Sequence, residues 1–118
     1  MVVFDLEERT KNFGLSVIRL IKKMPQTAIT DRLIRQLVGA ATAIGANYCE
    51  ADCAESGRDF VHKLAIANKE AKETRFFLGM IKEVVPELES EITKLEQEAY
   101  ELNMIMSSII KKIKNKQR

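Results

Sequence analysis

The side-chain types that most often perform catalysis or bind metals are scarce in this sequence. His62 is the only histidine, and Cys49 and Cys53 are the only two cysteines. A structural zinc site usually needs four ligands, and its paired cysteines commonly stand closer in sequence than Cys49 and Cys53 do. We therefore predict reduced cysteines that are small, buried core residues. We expect His62 to be an exposed or boundary residue without a catalytic role, and we expect no metal and no cofactor.

A polar cluster is the second candidate site. Asn47 lies on the apolar stripe of a predicted helix, Glu50 follows nearly one turn later, and Glu73 belongs to the next helix. A buried amide must find hydrogen-bond partners, so the three residues are predicted to form a structural polar core that fixes helix register. The alternative is a polar pocket near the junction of the second and third helices.

Other catalytic patterns receive no support. The sequence has no Glu-x-x-His motif of the kind that builds di-iron sites in helical bundles. Its 5 glycines are scattered, so no phosphate-binding loop is recognisable. We expect a protein that is not an enzyme.

Positive charge is the third candidate feature. The sequence has 19 Lys and Arg and 17 Asp and Glu. The resulting formal net charge of +2 is too small for the electric field of the whole molecule to attract nucleic acid. Local clusters of bases can still bind phosphates. The predicted nucleic-acid-binding residues are Lys72, Arg75, Lys111, Lys112, Lys114, Lys116 and Arg118. No aromatic residue interleaves them. In the alternative interpretation, the C-terminal lysines complement the helix dipole and the other bases form a solvated face paired with Glu70 and Glu83.

Four helices must position these residues. The 118-residue chain has only 5 Gly and 2 Pro, too few for the turns of a many-stranded sheet. Pro25, the Ser56 to Asp59 capping-box pattern and Pro86 predict three breaks. Apolar residues recur at alternating steps of four and three between the breaks. We predict one domain, residues 1–118, folded as an all-α, antiparallel up-down-up-down four-helix bundle with helices near 4–24, 28–55, 57–85 and 87–114.

More large apolar residues are present than the seams of one bundle require. Phe76 and Phe77 cannot both face one core, because neighbouring helical residues point about 100° apart. One of them is expected to face a partner subunit, which predicts a homo-oligomer. The first residues resemble neither a signal peptide nor a membrane anchor, so we expect a cytoplasmic protein with no membrane partner.

The sequence resembles the small bacterial four-helix-bundle proteins related to those encoded by intervening sequences within 23S rRNA genes. The segments that carry the resemblance are residues 4–10, 44–51, 66–67 and 69–74, together with Phe60 and Leu64. The resemblance implies a ring-shaped homo-oligomer, commonly a pentamer. It extends to the accessory protein of diversity-generating retroelements, a basic ring that acts with RNA and a reverse transcriptase. It implies no active site, and it matches Asn47, Glu50 and Glu73 to family positions.

Two functions follow as hypotheses. The first is a non-enzymatic homo-oligomer that binds RNA through basic patches, touching phosphates without reading sequence. The alternative is a protein-protein interaction adaptor or scaffold that does not bind nucleic acid.

Overall fold

Four helices make up the protein in a computed structural model that describes residues 5–116. They are α1 (Leu6–Ile21), α2 (Ala28–Asp52), α3 (Gly57–Val84) and α4 (Glu89–Lys116), and a short 3-10 turn at Pro86–Leu88 precedes α4. Residues 5–116 contain no β-strand. The prediction of an all-α fold with four helices is therefore confirmed.

The helices begin where the sequence offers capping side chains. Thr27 accepts a hydrogen bond from the backbone N–H of Thr30, whose hydroxyl in turn accepts from the N–H of Thr27. The Ser56 hydroxyl accepts from the N–H of Asp59 at 3.1 Å, the first of the two bonds of the predicted capping box. Asp5 accepts from the N–H of Glu8 and caps α1. Each cap satisfies a backbone donor that the first helical turn leaves free.

One apolar core runs through all four helices. The largest side chains with no measurable exposure are Leu37 and Ile44 of α2, Leu64, Leu78 and Ile81 of α3, and Ile92, Leu102 and Met106 of α4, with Val17 from α1. Burying a side chain of this size stabilises the fold by about 1.5–3 kcal/mol before entropy is counted. The apolar stripes predicted from the sequence supply these residues.

Helices α1 and α2 approach closely at Gly45. A Cβ atom at this position would lie 3.3 Å from Thr10 Oγ1, tighter than ordinary contact. The Thr10 hydroxyl donates to Leu6 O at 2.6 Å, so this buried polar group has its partner within α1. Small residues of α2 therefore do allow tight packing here. Gly39 is different, because a Cβ there would meet nothing within 4 Å.

Ion pairs join α1 to α4, which touch less than the other adjacent helices do. Arg9 donates to both carboxylate oxygens of Glu98, at 2.7 and 2.8 Å, and to Glu101 at 3.1 Å. Lys23 at the other end of α1 binds Glu91 at 2.9 Å. Residue numbers thus rise along α1 as they fall along α4.

Candidate nucleic-acid interface

The last turns of α4 form a basic end. Its members are Lys111, Lys112, Lys114 and Lys116, and all four are exposed. Successive helical residues are about 100° apart, so Lys111 and Lys114 share one side of the helix and Lys112 and Lys116 share the other. The basic end therefore surrounds α4 instead of lying on one strip. Residues 102–116 contain no acidic side chain to neutralise it. Arg118 lies outside the described residues.

Two further predicted bases lie on α3. Lys72 and Arg75 are both exposed. The guanidinium carbon of Arg75 lies 4.9 Å from the centre of the Tyr100 ring, a cation–π contact that joins α3 to α4. No aromatic residue interleaves these bases along the sequence, but Tyr100 of α4 lies beside Arg75 in the fold. Tyr100 comes from another helix, and adjacency in sequence does not reveal that neighbour.

The two basic groups are separate patches. Asn68 contacts Asn103, and Lys82 pairs with Glu96, so α3 and α4 run in opposite directions. Lys72 follows Asn68 along α3 and Lys111 follows Asn103 along α4. Because the two helices run in opposite directions, the two lysines lie on opposite sides of the Asn68–Asn103 contact. At about 1.5 Å of rise per residue, Lys72 and Lys111 are roughly 18 Å apart along the bundle axis. One phosphate group cannot contact both patches.

Two other bases of α3, Lys63 and Lys82, are already paired with carboxylates. Lys82 forms an ion pair with Glu96 of α4, and not with Glu83 of its own helix as the solvated-face interpretation assumed. Its hydrogen bond to Glu96 raises the pKa of Lys82. Lys63 donates to Glu50 at 3.0 Å, and that hydrogen bond raises the pKa of Lys63. Paired cations of this kind are poor competitors for phosphate because a carboxylate already neutralises them.

The polar core predicted at Asn47, Glu50 and Glu73 is not present. Glu50 and Glu73 are exposed, and Glu50 makes the surface ion pair with Lys63. Asn47 is half-buried and donates to Ala43 O at 2.9 Å within its own helix. The prediction is wrong because Asn47 lies at the margin of the buried face, where its amide reaches its own backbone instead of another helix.

A different polar pair is buried between α3 and α4. Asn103 Nδ2 donates to Asn68 Oδ1 at 2.6 Å, and Asn68 Nδ2 donates to Ser107 Oγ at 2.9 Å. Asn68 and Asn103 are 9% and 7% exposed. Asn68 directly follows the core residue Ala67, and Asn103 directly follows the core residue Leu102. An asparagine next to the apolar stripe of each of two neighbouring helices is the sequence signal that could have identified the pair. The pair fixes how α3 and α4 align.

The prediction that both cysteines are buried in the core is also wrong. Cys49 and Cys53 are both exposed free thiols. Cys49 lies on the side of α2 that borders α1, outside the buried stripe, and Cys53 follows the last residue of α2. His62 is exposed, as predicted. Residues 5–116 hold no cluster of His, Cys, Asp and Glu suited to a metal ion.

The membrane question has a direct answer for the described part of the chain. None of its helices combines the length and the low charge that crossing a bilayer requires.

The fold and these surface features define a class: a small, all-α protein of four helices whose polar features are ion pairs, a buried amide pair and basic patches. The profile of the 23S rRNA-intervening sequence protein family matches residues 4–108, and the chain belongs to this family. A comparison with curated protein sequences gave no match.

A solved structure shares the fold. It is a crystal structure of a protein with unknown function from the S23 ribosomal protein family of Bacteroides thetaiotaomicron, 28% identical to this chain with a TM-score of 0.80. The match covers 90% of this chain and 98% of the other. The resemblance inferred from the sequence is confirmed at the level of the family.

Proposed function

We propose that this protein is a non-enzymatic, homo-oligomeric helical bundle of the cytoplasm that associates with RNA. In this proposal each chain is an up-down-up-down bundle and several chains form a ring, with five as the expected number. The observation that carries the RNA proposal is the basic end of α4, four exposed lysines in a segment without acids.

Counterion release is the physical basis of this binding. Lysines that neutralise RNA phosphates release condensed cations, and the affinity then falls steeply with salt. Lysines at a helix C-terminus also interact favourably with the helix dipole, by about 0.3–1 kcal/mol each. That interaction is modest and leaves the side-chain ammonium groups free to bind phosphate. A ring of several copies would multiply the number of such contacts.

The ionisable groups in the main groove between α1 and α4 support a role without catalysis. This groove contains Glu8, Arg9 and Glu98. Arg9 occupies both oxygens of Glu98 and raises its own pKa through that hydrogen bond. A carboxylate held in this way is poorly suited to act as a general base.

Filter-binding titration with a structured RNA tests the proposal. The variant Lys112→Gln/Lys114→Gln/Lys116→Gln removes three charges from the basic end, and Arg19→Gln/Arg32→Gln/Lys94→Gln removes three exposed charges elsewhere. We expect the first variant to lower the affinity at least tenfold and to reduce the salt slope by about 2–3, and the second to change both much less. Wild-type protein that fails to bind RNA at low salt contradicts the proposal.

The exposed side chain of Phe76 favours a second candidate function, an adaptor that binds another protein. The adaptor would bind its protein partner and would show no salt-dependent affinity for RNA. It would also be a monomer whose Phe76 surface is free for the partner. Light scattering of the purified protein together with the RNA titration separates the two candidates.

A further inference from the structure

We propose that copies of this chain assemble head to tail, with an apolar ridge of one copy lying in a groove between α1 and α2 of the next. The inference rests on the proposed homo-oligomer and identifies its interface. The ridge consists of Phe76, Met80 and Val84 of α3 with Tyr100 and Met104 of α4. The groove is lined by Gly14, Leu15 and Ile18 of α1 with Thr42, Gly45 and Ala46 of α2.

The ridge exposes large side chains that the core does not use. Phe76 is 61% exposed, Met80 47% and Val84 42%, and their spacing of four places them on one side of α3. Tyr100 and Met104 are also exposed and have the same spacing on α4. The five side chains present roughly 400 Å² of apolar surface in two strips, one on α3 and one on α4, and the Arg75 guanidinium lies over the Tyr100 ring.

The groove has the opposite character. It is a depression of about 310 Å³ lined by the small residues Gly14, Thr42, Gly45 and Ala46 together with Leu15 and Ile18. Residues 36–49 of α2 contain no Lys, Arg, Asp or Glu, although Gly39, Thr42 and Ala46 in this stretch are exposed. A solvent-facing helix normally carries charges on its outer side. An uncharged outer side with an apolar groove is typical of a surface that another apolar surface covers.

The two surfaces complement each other in shape. The ridge offers large side chains and the groove offers small ones, the arrangement by which one helix surface packs into another. They share no residue and lie on different helix pairs, so a copy cannot satisfy its own groove. One ridge entering the groove of the next copy is a heterologous contact, which leaves a free ridge and a free groove for further copies.

The charges beside the two surfaces are complementary as well. The exposed Lys69 and Lys72 precede Phe76 along α3, and the exposed Glu83 lies beside Val84. Along α1, Glu7 lies at one end of the groove, Lys11 lines the groove one turn further on, and Lys22 follows Ile18 beyond the other end. When two copies point the same way without an axial shift, the lysines of the ridge lie nearest Glu7, and Glu83 lies between the levels of Lys11 and Lys22.

The ridge and the groove also lie at the same height on the bundle. Arg9 of α1 lies opposite Glu98, and Arg75 of α3 lies beside Tyr100, only two residues further along α4. Both α1 and α3 run opposite to α4. Neighbouring copies can therefore join without a shift along the axis, so that repetition of the contact favours a closed ring over a filament.

Light scattering on two complementary variants tests the interface. Phe76→Glu/Met80→Glu places charge on the ridge, and Thr42→Glu/Ala46→Glu places charge in the groove. We expect wild type to be oligomeric and each variant alone to have the monomer mass of 13.4 kDa. An equimolar mixture, at a few hundred micromolar chain, should form a species of twice that mass, because one intact ridge then meets one intact groove.

Two control variants separate the interface from general surface effects. Ile29→Glu changes a side chain that is 62% exposed but belongs to neither surface, and Ala46→Ser keeps the groove small. Both should assemble like wild type. Circular dichroism of each variant establishes that its helices are intact.

Each remaining outcome has a defined meaning. A mixture that stays monomeric, or ridge and groove variants that remain oligomeric, overturns the interface while the homo-oligomer stands. Monomeric wild type overturns both the interface and the proposed homo-oligomer. RNA affinity is measured separately and decides the RNA proposal alone.

Discussion

The side-chain amides of Asn68 and Asn103 hydrogen-bond to each other across the α3–α4 interface, with Nδ2 of Asn103 2.6 Å from Oδ1 of Asn68. Ser107 Oγ accepts a hydrogen bond from Asn68 Nδ2, so the two amides and the hydroxyl form a chain of hydrogen bonds. Burying such groups is tolerable only because each has a partner. Any displacement of α4 by one turn along α3 would leave both amides without these bonds.

The first prediction concerns this pair. Asn103→Ala should lower the free energy of unfolding by about 1–3 kcal/mol, because the buried Asn68 Oδ1 then loses the Nδ2 group that donates a hydrogen bond to it. Asn68→Leu/Asn103→Leu should be less harmful than the sum of its single changes, since it removes both amides together. Urea unfolding followed by circular dichroism measures all three. Asn12→Ala, at an exposed position, is the control and should stay within about 0.5 kcal/mol of wild type.

The second prediction concerns the attachment of α1 to α4. Arg9→Met should cost about 0.5–1 kcal/mol, because its two bonds to Glu98 are well aligned but remain partly exposed to water. Lys23→Met should cost less, since the Lys23 and Glu91 side chains are 55% and 46% exposed. Thermal unfolding at low and high salt measures both changes. Equal costs for the two variants, or a cost for Arg9→Met that does not shrink with salt, would contradict this assignment.

The third prediction concerns pH. Partial burial, followed by the nearby charge of Glu73, raises the pKa of Glu70 above its ordinary value. The folded state therefore favours the protonated carboxyl, and this group lowers stability as the pH rises through its pKa. Glu70→Gln should be more stable than wild type at pH 7, and the difference should vanish in acid below the ordinary Glu pKa. Unfolding measured from pH 3 to 7 tests the sign.

A neighbour substitution checks the cause of that shift. Glu73→Gln should move the pKa of Glu70 down towards the ordinary value, as observed by NMR titration of the side-chain carboxyl. It should not abolish the shift, because burial is the larger cause.

The fourth prediction uses two glycines of α2. Gly39→Ala should stabilise the protein by about 0.5–1 kcal/mol, because a Cβ there meets nothing and alanine is the better helix former. Gly45→Ala should gain less or lose stability, since its Cβ would press on Thr10. Chemical unfolding of the two variants side by side is the measurement. A larger gain at Gly45 than at Gly39 would mean that α1 and α2 are not in close contact there.

The sequence predicted the buried stripes well because helix periodicity depends only on residue type and spacing. Leu64, Leu78 and Ile81 follow that rule and are completely buried. The same reasoning misplaced Asn47 and Cys49, which lie near an apolar stripe without being covered. Periodicity assigns a residue to a side of a helix, but the width of the covered zone depends on how closely the neighbouring helix approaches.

The candidate sites were harder to predict because they combine residues from different helices. The contact of Arg75 with Tyr100 and the bond of Asn68 to Asn103 depend on the alignment of α3 with α4. No short-range pattern in either helix fixes that alignment. The lysines of the basic end were identified because they lie close together in one stretch of sequence.

The ionic attachment of α1 to α4 also bears on the order in which the molecule loosens. Helix α1 is the shortest of the four and meets α4 through Arg9 and Lys23, whose bonds weaken in salt or denaturant. The other three helices are longer and are joined by more extensive packing. Detachment of α1 ahead of the rest would expose the Leu6, Phe13 and Leu20 side chains to solvent. It would also remove the α1 side of the apolar groove between α1 and α2 before the remaining helices unfold.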